Sequence, residues 1–175
     1  LFEQAGDFAR AADLYRSRRD FAAAARAYEQ AYDYASAIEC YREIGDTEKI
    51  LQLLEKNGDS FEAGKLALEA GQVERALAAL QQVDSRNPGF GEACRLQAGI
   101  LADRGNADYA LEKFDEAKQS QGLDSFPIEV QERYGRMLEE AGRVQDALNV
   151  FGAVRRQNLN FKDVNTRIEN LKRQI

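Results

Sequence analysis

Residues 6–83 contain one pattern that returns every thirteen residues: GDFARAADLYRSR, RDFAAAARAYEQA, YDYASAIECYREI, GDTEKILQLLEKN, GDSFEAGKLALEA and GQVERALAALQQV. The second position is Asp in the first five copies and Gln in the sixth. The sixth position is Ala or Ile, and the tenth is Tyr, Leu or Ala. Self-similarity at a fixed period is typical of stacked supersecondary units, so the repeat predicts an array rather than an irregular fold.

Each unit is expected to form one short helix and a turn. An Asp at position two can cap the helix start, because its carboxylate accepts backbone N–H bonds and opposes the helix dipole. Small and apolar residues at positions six, seven and ten lie on one helical face. Such helices are too short to be stable alone, so they must stack, and the short turns make consecutive helices antiparallel. Helices should begin within about two residues of these capping residues: Asp7, Asp20, Asp33, Asp46 and Asp59.

Composition favours a soluble all-helical protein, with 44% hydrophobic and 31% charged residues in a chain of 175. A net charge of −6 disfavours nucleic-acid binding, and no apolar run is long enough to insert into a membrane. Cys40 and Cys94 do not form a disulfide framework, which predicts a reducing, cytoplasmic location. The chain begins at Leu1 inside a helical pattern, so we expect a fragment of a longer protein whose targeting signals could lie outside it.

The sequence offers little for catalysis. It has no histidine, which removes the commonest general base and metal ligand. Acidic pairs such as Glu139 and Glu140 are adjacent in sequence and therefore point to different sides of a helix. We predict that the chain is not an enzyme and that it holds no cofactor and no metal.

From residue 57 the repeat length changes. Residues 57–90 read NGDSFEAGKLALEAGQVERALAALQQVDSRNPGF, with small or turn residues at Gly64 and Gly71 and a proline at Pro88. This stretch of thirty-four residues resembles a tetratricopeptide repeat. Two further copies of the signature follow: Ala98, Leu101, Gly105, Ala110, Phe114 and Ala117, then Tyr134, Gly135, Leu138, Gly142, Ala147, Phe151 and Val154. The loop QGLDSFP between these copies carries an insertion of three residues. Residues 1–56 are similar to the degenerate short helical repeats that adjoin β-propellers in coat and transport proteins.

The resemblance implies an all-α, right-handed α-solenoid of stacked antiparallel helix hairpins, a tetratricopeptide-like superhelix. We expect one continuous solenoid with short repeats in 1–56, three hairpins in 57–158 and a capping helix in 159–175. That last helix should dock on the hairpin at 128–157 and cover its open face, through these side chains: Val164, Ile168 and Leu171. Phe114 and Phe151 should be buried. The tyrosines at position ten should form a packing seam rather than a ligand platform: Tyr15, Tyr28 and Tyr41.

The resemblance also implies a concave groove lined by the first helix of each hairpin. By parity, first helices belong to the units that begin at Gly6, Tyr32 and Gly58. The groove residues are Phe61, Lys65, Leu68, Glu69, Arg95, Gly99, Ala102, Asp103, Glu129, Glu132, Arg136, Glu139 and Glu140. Some family members grip a C-terminal carboxylate there with lysines and asparagines. That mechanism is disfavoured, because Lys65 is the single groove lysine and Gly99 and Arg136 stand where an asparagine would be.

These residues predict a protein–protein interaction scaffold that binds a peptide or helical segment of a partner, which can carry acidic side chains. Arg95 and Arg136 are the best anchors, because a guanidinium can hold a carboxylate through two hydrogen bonds. Pairing of Glu132 with Arg136 within one helix is an open alternative. The alternatives for the whole chain are a self-assembly module and a regulatory arm of an attached enzyme. We favour a monomer over a homo-oligomer.

Overall fold

The computed structural model describes residues 7–175. Within these residues the chain forms eleven α-helices and one short 3₁₀ helix, Leu123–Ser125, and has no β-strand. The α-helices are α1 (Phe8–Ser17), α2 (Phe21–Gln30), α3 (Tyr34–Ile44), α4 (Thr47–Asn57), α5 (Ser60–Glu69), α6 (Val73–Gln81), α7 (Phe90–Asp103), α8 (Ala107–Gln121), α9 (Ile128–Glu140), α10 (Val144–Gln157) and α11 (Val164–Lys172). Gly6, where the first unit was predicted to begin, and residues 1–5 lie outside the described part of the chain.

The first five helices each begin directly after a repeat aspartate, which confirms the predicted helix starts. Four of these carboxylates accept the backbone N–H three residues later, at 3.1–3.3 Å: Asp7, Asp20, Asp33 and Asp46. Asp59 instead accepts a hydrogen bond from the Asn57 side-chain amide at 2.6 Å. The capping bond is local, between a residue and its own helix, which is why the repeat alone locates it.

In seven of the described short turns between consecutive helices, the residue just before the helix cap has a positive φ, which lets the chain reverse direction. The N–H of Asp46 donates to the carbonyl of Tyr41 at 3.0 Å, the six-residue ring of a Schellman turn. Glycine, which adopts this conformation without steric cost, occupies five such turns: Gly45, Gly58, Gly71, Gly105 and Gly142. Arg19 and Tyr32 hold the equivalent position in the first two turns, each with φ of 59°.

Replacing Tyr32 by Gly should stabilise the protein. Tyr32 is 77% exposed and its ring has one aromatic contact, an edge-to-face contact with Tyr34 at 6.4 Å between centroids, whereas its left-handed backbone strains a residue with a Cβ. Relief of that strain, less the entropy lost by glycine, should raise the free energy of unfolding by about 0.5–1 kcal/mol in urea melts. Ala31→Gly is the matched control, because Ala31 has an ordinary φ of −82° and should lose stability. A Tyr32→Gly protein less stable than the parent would contradict this account.

Of the described residues, 7–82 belong to the first compact unit, in which α1 to α6 pack as neighbours in chain order. Tyr28 and Tyr41 are buried in its core. Their hydroxyls donate to carboxylates of the preceding helix: Tyr28 to Asp13 at 2.7 Å, and Tyr41 to Glu29. These two tyrosines therefore form the predicted packing seam, with a polar edge.

The second compact unit is Val83–Ile175, in which α7 pairs with α8, α9 with α10, and α11 packs on α10. Phe114 and Phe151 are buried, as predicted. Phe126, from the loop that carries the insertion, is buried beside Phe114 with 6.3 Å between ring centroids. Three side chains of α11 join the same core, which confirms the predicted docking of this helix: Val164, Ile168 and Leu171.

Close approach of two helices explains one of the signature glycines. A Cβ at Gly135 would lie 2.7 Å from Cε1 of the buried Phe151, so α9 and α10 approach too closely for any larger residue. The boundary between the compact units lies after Gln82 in the chain. The boundaries placed after residues 56 and 158 separate types of repeat rather than compact units, and they stay a prediction.

Candidate functional site

Surface depressions lie between first helices that follow each other within a unit. The first unit has an α1/α3 cavity of about 560 Å³ and an α3/α5 cleft of about 210 Å³. The second unit has an α7/α9 cleft of about 240 Å³. Each is lined by charged and apolar side chains together.

The α3/α5 cleft contains two of the four predicted residues of α5. Lys65 and Glu69 line it, together with Arg42, Ile50, Leu54, Glu62 and Leu66. Lys65 Nζ lies 5.1 Å from the centre of the Phe61 ring and 3.7 Å from Glu62 Oε1. Phe61 therefore borders the cleft through its contact with Lys65. Neither Phe61 nor Leu68 lines the cleft itself.

The α7/α9 cleft contains Arg136 and Glu140, two of the residues predicted on α9. Its other lining residues are Ala102, Gly105, Ala107, Arg133 and Met137. Arg133 reaches from α9 to α7, where its Nη2 lies 2.7 Å from Asp103 Oδ1. Asp103, another predicted residue, thus borders the cleft through this ion pair.

Arg95 lies apart from Arg136. It sits seven residues before Ala102 on α7, is not among the residues that line the cleft, and pairs with Glu92 at 3.5 Å. The structure therefore does not bring the two predicted anchors into one depression.

Glu132 is buried, with 1% of its surface exposed, so it does not offer its carboxylate to a partner. Its Oε1 lies 3.1 Å from Arg136 Nε and its Oε2 lies 2.7 Å from Lys162 Nζ. The i,i+4 pairing that the sequence left open is thus present. A buried carboxylate needs such partners, because an uncompensated buried charge is strongly destabilising. Arg136 is held at one nitrogen while its side chain stays 47% exposed.

Sequence reasoning missed the largest of these depressions on first helices, the α1/α3 cavity. Its lining residues are Arg16, Ser17, Arg19, Phe21, Glu39, Cys40, Arg42 and Glu43. The thirteen-residue register could have located it. Counting one hairpin of twenty-six residues back from Lys65, Leu68 and Glu69 gives Glu39, Arg42 and Glu43. The cavity was not predicted because the resemblance supplied groove positions only for the part of the chain that resembles tetratricopeptide repeats.

The α1/α3 cavity is charged at its rim and neutral at its buried edge. Arg16 Nη2 lies 2.9 Å from Glu39 Oε2, and the Tyr28 hydroxyl and this carboxylate raise the pKa of Arg16. Burial raises the pKa of the Cys40 thiol, which is therefore uncharged at neutral pH. Within residues 7–175, neither Arg19 nor Arg42 forms an ion pair.

The described residues offer neither a metal site nor a membrane-spanning helix. No group of three or more Cys, Asp or Glu side chains there is arranged to hold a metal ion. None of the helices in residues 7–175 has the length and apolar character needed to cross a membrane.

The sequence matches no family model and no curated protein. The structure is similar to that of YrrB, described as a TPR protein with an unusual peptide-binding site, with 18% identity, a TM-score of 0.57, and coverage of 95% of this chain and 91% of that one. It is similar to MamA, with 20% identity, a TM-score of 0.55, and coverage of 89% and 92%. It is also similar to a tetratricopeptide repeat protein of Parabacteroides merdae, with 14% identity, a TM-score of 0.54, and coverage of 94% and 71%. These likenesses confirm the predicted all-α, tetratricopeptide-like fold of helical hairpins.

Proposed function

We propose that this chain is a protein-interaction scaffold that binds a peptide or helical segment of a partner protein on the first helices of its hairpins. The α7/α9 cleft carries the proposal, because it combines a half-exposed, pre-positioned arginine with small and apolar neighbours. The likeness of the fold to YrrB, itself described as having a peptide-binding site, supports the same function.

The chemistry of the cleft suits a segment with one acidic and one apolar side chain. Arg136 is already held by Glu132, so less side-chain freedom is lost when its guanidinium binds a carboxylate. Met137 offers a flexible apolar surface, and Ala102 leaves room beside it. The predicted residues Lys65 and Glu69 offer a second mixed-charge cleft in the first unit. Recognition of a peptide by such clefts needs no cofactor and no chemistry on the ligand.

Arg136→Met should weaken peptide binding at least tenfold, about 1.4 kcal/mol, because it removes the guanidinium and keeps the apolar stem. The experiment selects binders from a phage-displayed library of twelve-residue peptides, and the enriched peptides are then titrated against each variant. Arg155→Met is the matched control, since Arg155 is an exposed arginine on the second helix α10. Arg95→Met should have a smaller effect than Arg136→Met, because Arg95 lies outside the cleft.

Several results would count against this proposal. Failure to enrich any peptide would remove the scaffold function. Equal weakening by Arg136→Met and Arg155→Met would indicate diffuse electrostatics instead of a site. Unfolding curves of each variant show whether a loss of binding reflects a loss of fold.

As a scaffold, the protein should be a monomer in solution, whereas a self-assembly module would form oligomers. Light scattering should give the monomer mass of 19.6 kDa at every concentration. A mass that rises with concentration, without any partner, would favour self-assembly. Cys40 and Cys94 are free thiols, which supports a reducing compartment and hence the cytoplasm as the proposed location.

A further inference from the structure

We propose that the α1/α3 cavity is a second binding site, specific for an acidic side chain within a partner segment. This inference rests on the proposed function and names the chemistry of the ligand in the first unit. It concerns glutamate and aspartate side chains inside a segment, and not a terminal carboxylate.

Two guanidinium groups without an ionic partner in residues 7–175 line this cavity from different elements. Arg19 belongs to the turn between α1 and α2, and Arg42 belongs to α3. A third arginine, Arg16, is already neutralised by Glu39 at 2.9 Å. A carboxylate that enters the cavity would therefore meet the donors of Arg19 and Arg42, and hydrogen bonds between such charged groups are the stronger ones.

The remaining lining favours a side chain together with its flanking residues. Phe21 is partly buried and provides an apolar wall, and the uncharged Cys40 lies at the buried edge. Among the described lining residues, Glu43 is the one acid that is not already bound to a lining arginine, so these residues together carry a net positive charge. The volume of about 560 Å³ is within the range of ligand pockets.

The backbone of Arg19 is a separate observation that points to function. Arg19 has φ of 59° at a position where five other turns hold glycine. It is exposed, so packing does not require an arginine there, and what glycine would lack is the guanidinium in the cavity. A residue held in a strained conformation without a packing reason is characteristic of functional sites. Tyr32 shares the conformation but does not line the cavity.

Opposite effects of one substitution on stability and binding test this proposal. Arg19→Gly relieves the strained backbone, so the thermal midpoint should rise by about 1–4 °C. The same substitution removes a guanidinium from the cavity, so binding of an acidic peptide should weaken about tenfold. Tyr32→Gly is the matched control, because it should raise the midpoint similarly and leave binding unchanged. A purely structural role of Arg19 cannot produce both signs at once.

The probe is a fluorescein-labelled twelve-residue peptide with blocked ends and two internal glutamates in a background of Ser, Gly and Leu. Fluorescence anisotropy compares it with the same peptide carrying Gln at both positions, at low and high salt. The parent protein should bind the Glu peptide about tenfold more tightly than the Gln peptide, and Arg42→Gln should remove this preference.

Equal binding of the Glu and Gln peptides, or an Arg19→Gly protein that binds as the parent does, would overturn the proposal. Library peptides that depend on Arg136 but not on Arg19 would leave the scaffold function standing and remove this site. Conversely, a library that yields no peptide would remove the scaffold function. The anisotropy comparison would still show whether the cavity binds acidic side chains.

Discussion

Phe151→Ala is expected to lower the free energy of unfolding by about 3–5 kcal/mol. The Phe151 side chain is fully buried in the core of the second unit, beside the backbone of Gly135. No small neighbour can fill the space that the ring leaves, because the facing residue has no side chain. Urea denaturation followed by circular dichroism measures the loss.

The contact between Phe151 and Gly135 offers a sharper test than the single substitution. Gly135→Ala alone should cost about 1–3 kcal/mol, because its Cβ would lie 2.7 Å from Phe151 Cε1. In the Phe151→Ala background the ring is absent, so the added methyl group should cost much less. The two changes should therefore be non-additive in a double-mutant cycle. Additive losses, or a Phe151→Ala protein as stable as the parent, would contradict this packing.

Removal of residues 160–175 should lower the free energy of unfolding by an amount similar to that for Phe151→Ala. The three buried side chains of α11 contribute about 1.5–3 kcal/mol each when fully buried: Val164, Ile168 and Leu171. Their loss would expose the apolar surface of α10 around Val150 and Val154, which belong to the same core. We expect a lower melting midpoint and aggregation on light scattering, as for other helical arrays that lose their cap.

Part of that loss is electrostatic. The truncation removes Lys162 and leaves the buried Glu132 carboxylate with Arg136 alone. Lys162→Met isolates this contribution and should destabilise the protein less than the truncation does. Removal of residues 174–175, which follow α11 and are exposed, is the control and should leave the melting curve unchanged. A protein without residues 160–175 that stays monomeric with the parent's melting curve would show that α11 is not a cap.

The helix starts, the hairpins and the main core positions could be predicted from the sequence because they depend on local rules. An aspartate cap such as Asp20 acts on an N–H three residues away, and the resemblance to tetratricopeptide repeats implies that Phe114 and Phe151 lie on buried faces, where the structure has them. The resemblance placed Gly135 at a signature position, but the close approach of α9 and α10 that requires a glycine there is seen only in the structure. The helix starts, hairpins and core positions recur in each repeat, so a correct assignment of one repeat predicts them in the others.

The candidate sites depended on contacts between residues far apart in the chain. Glu132 looks like a surface groove residue until Lys162, thirty residues later, is seen beside it. The α1/α3 cavity needs Arg19 from a turn and Arg42 from another hairpin, and neither residue type suggests a left-handed turn or a pocket. Periodicity determines which face of a helix is buried. The tertiary structure decides which charges meet, because the attraction between two charged groups depends on a separation of a few ångströms that only the folded chain sets.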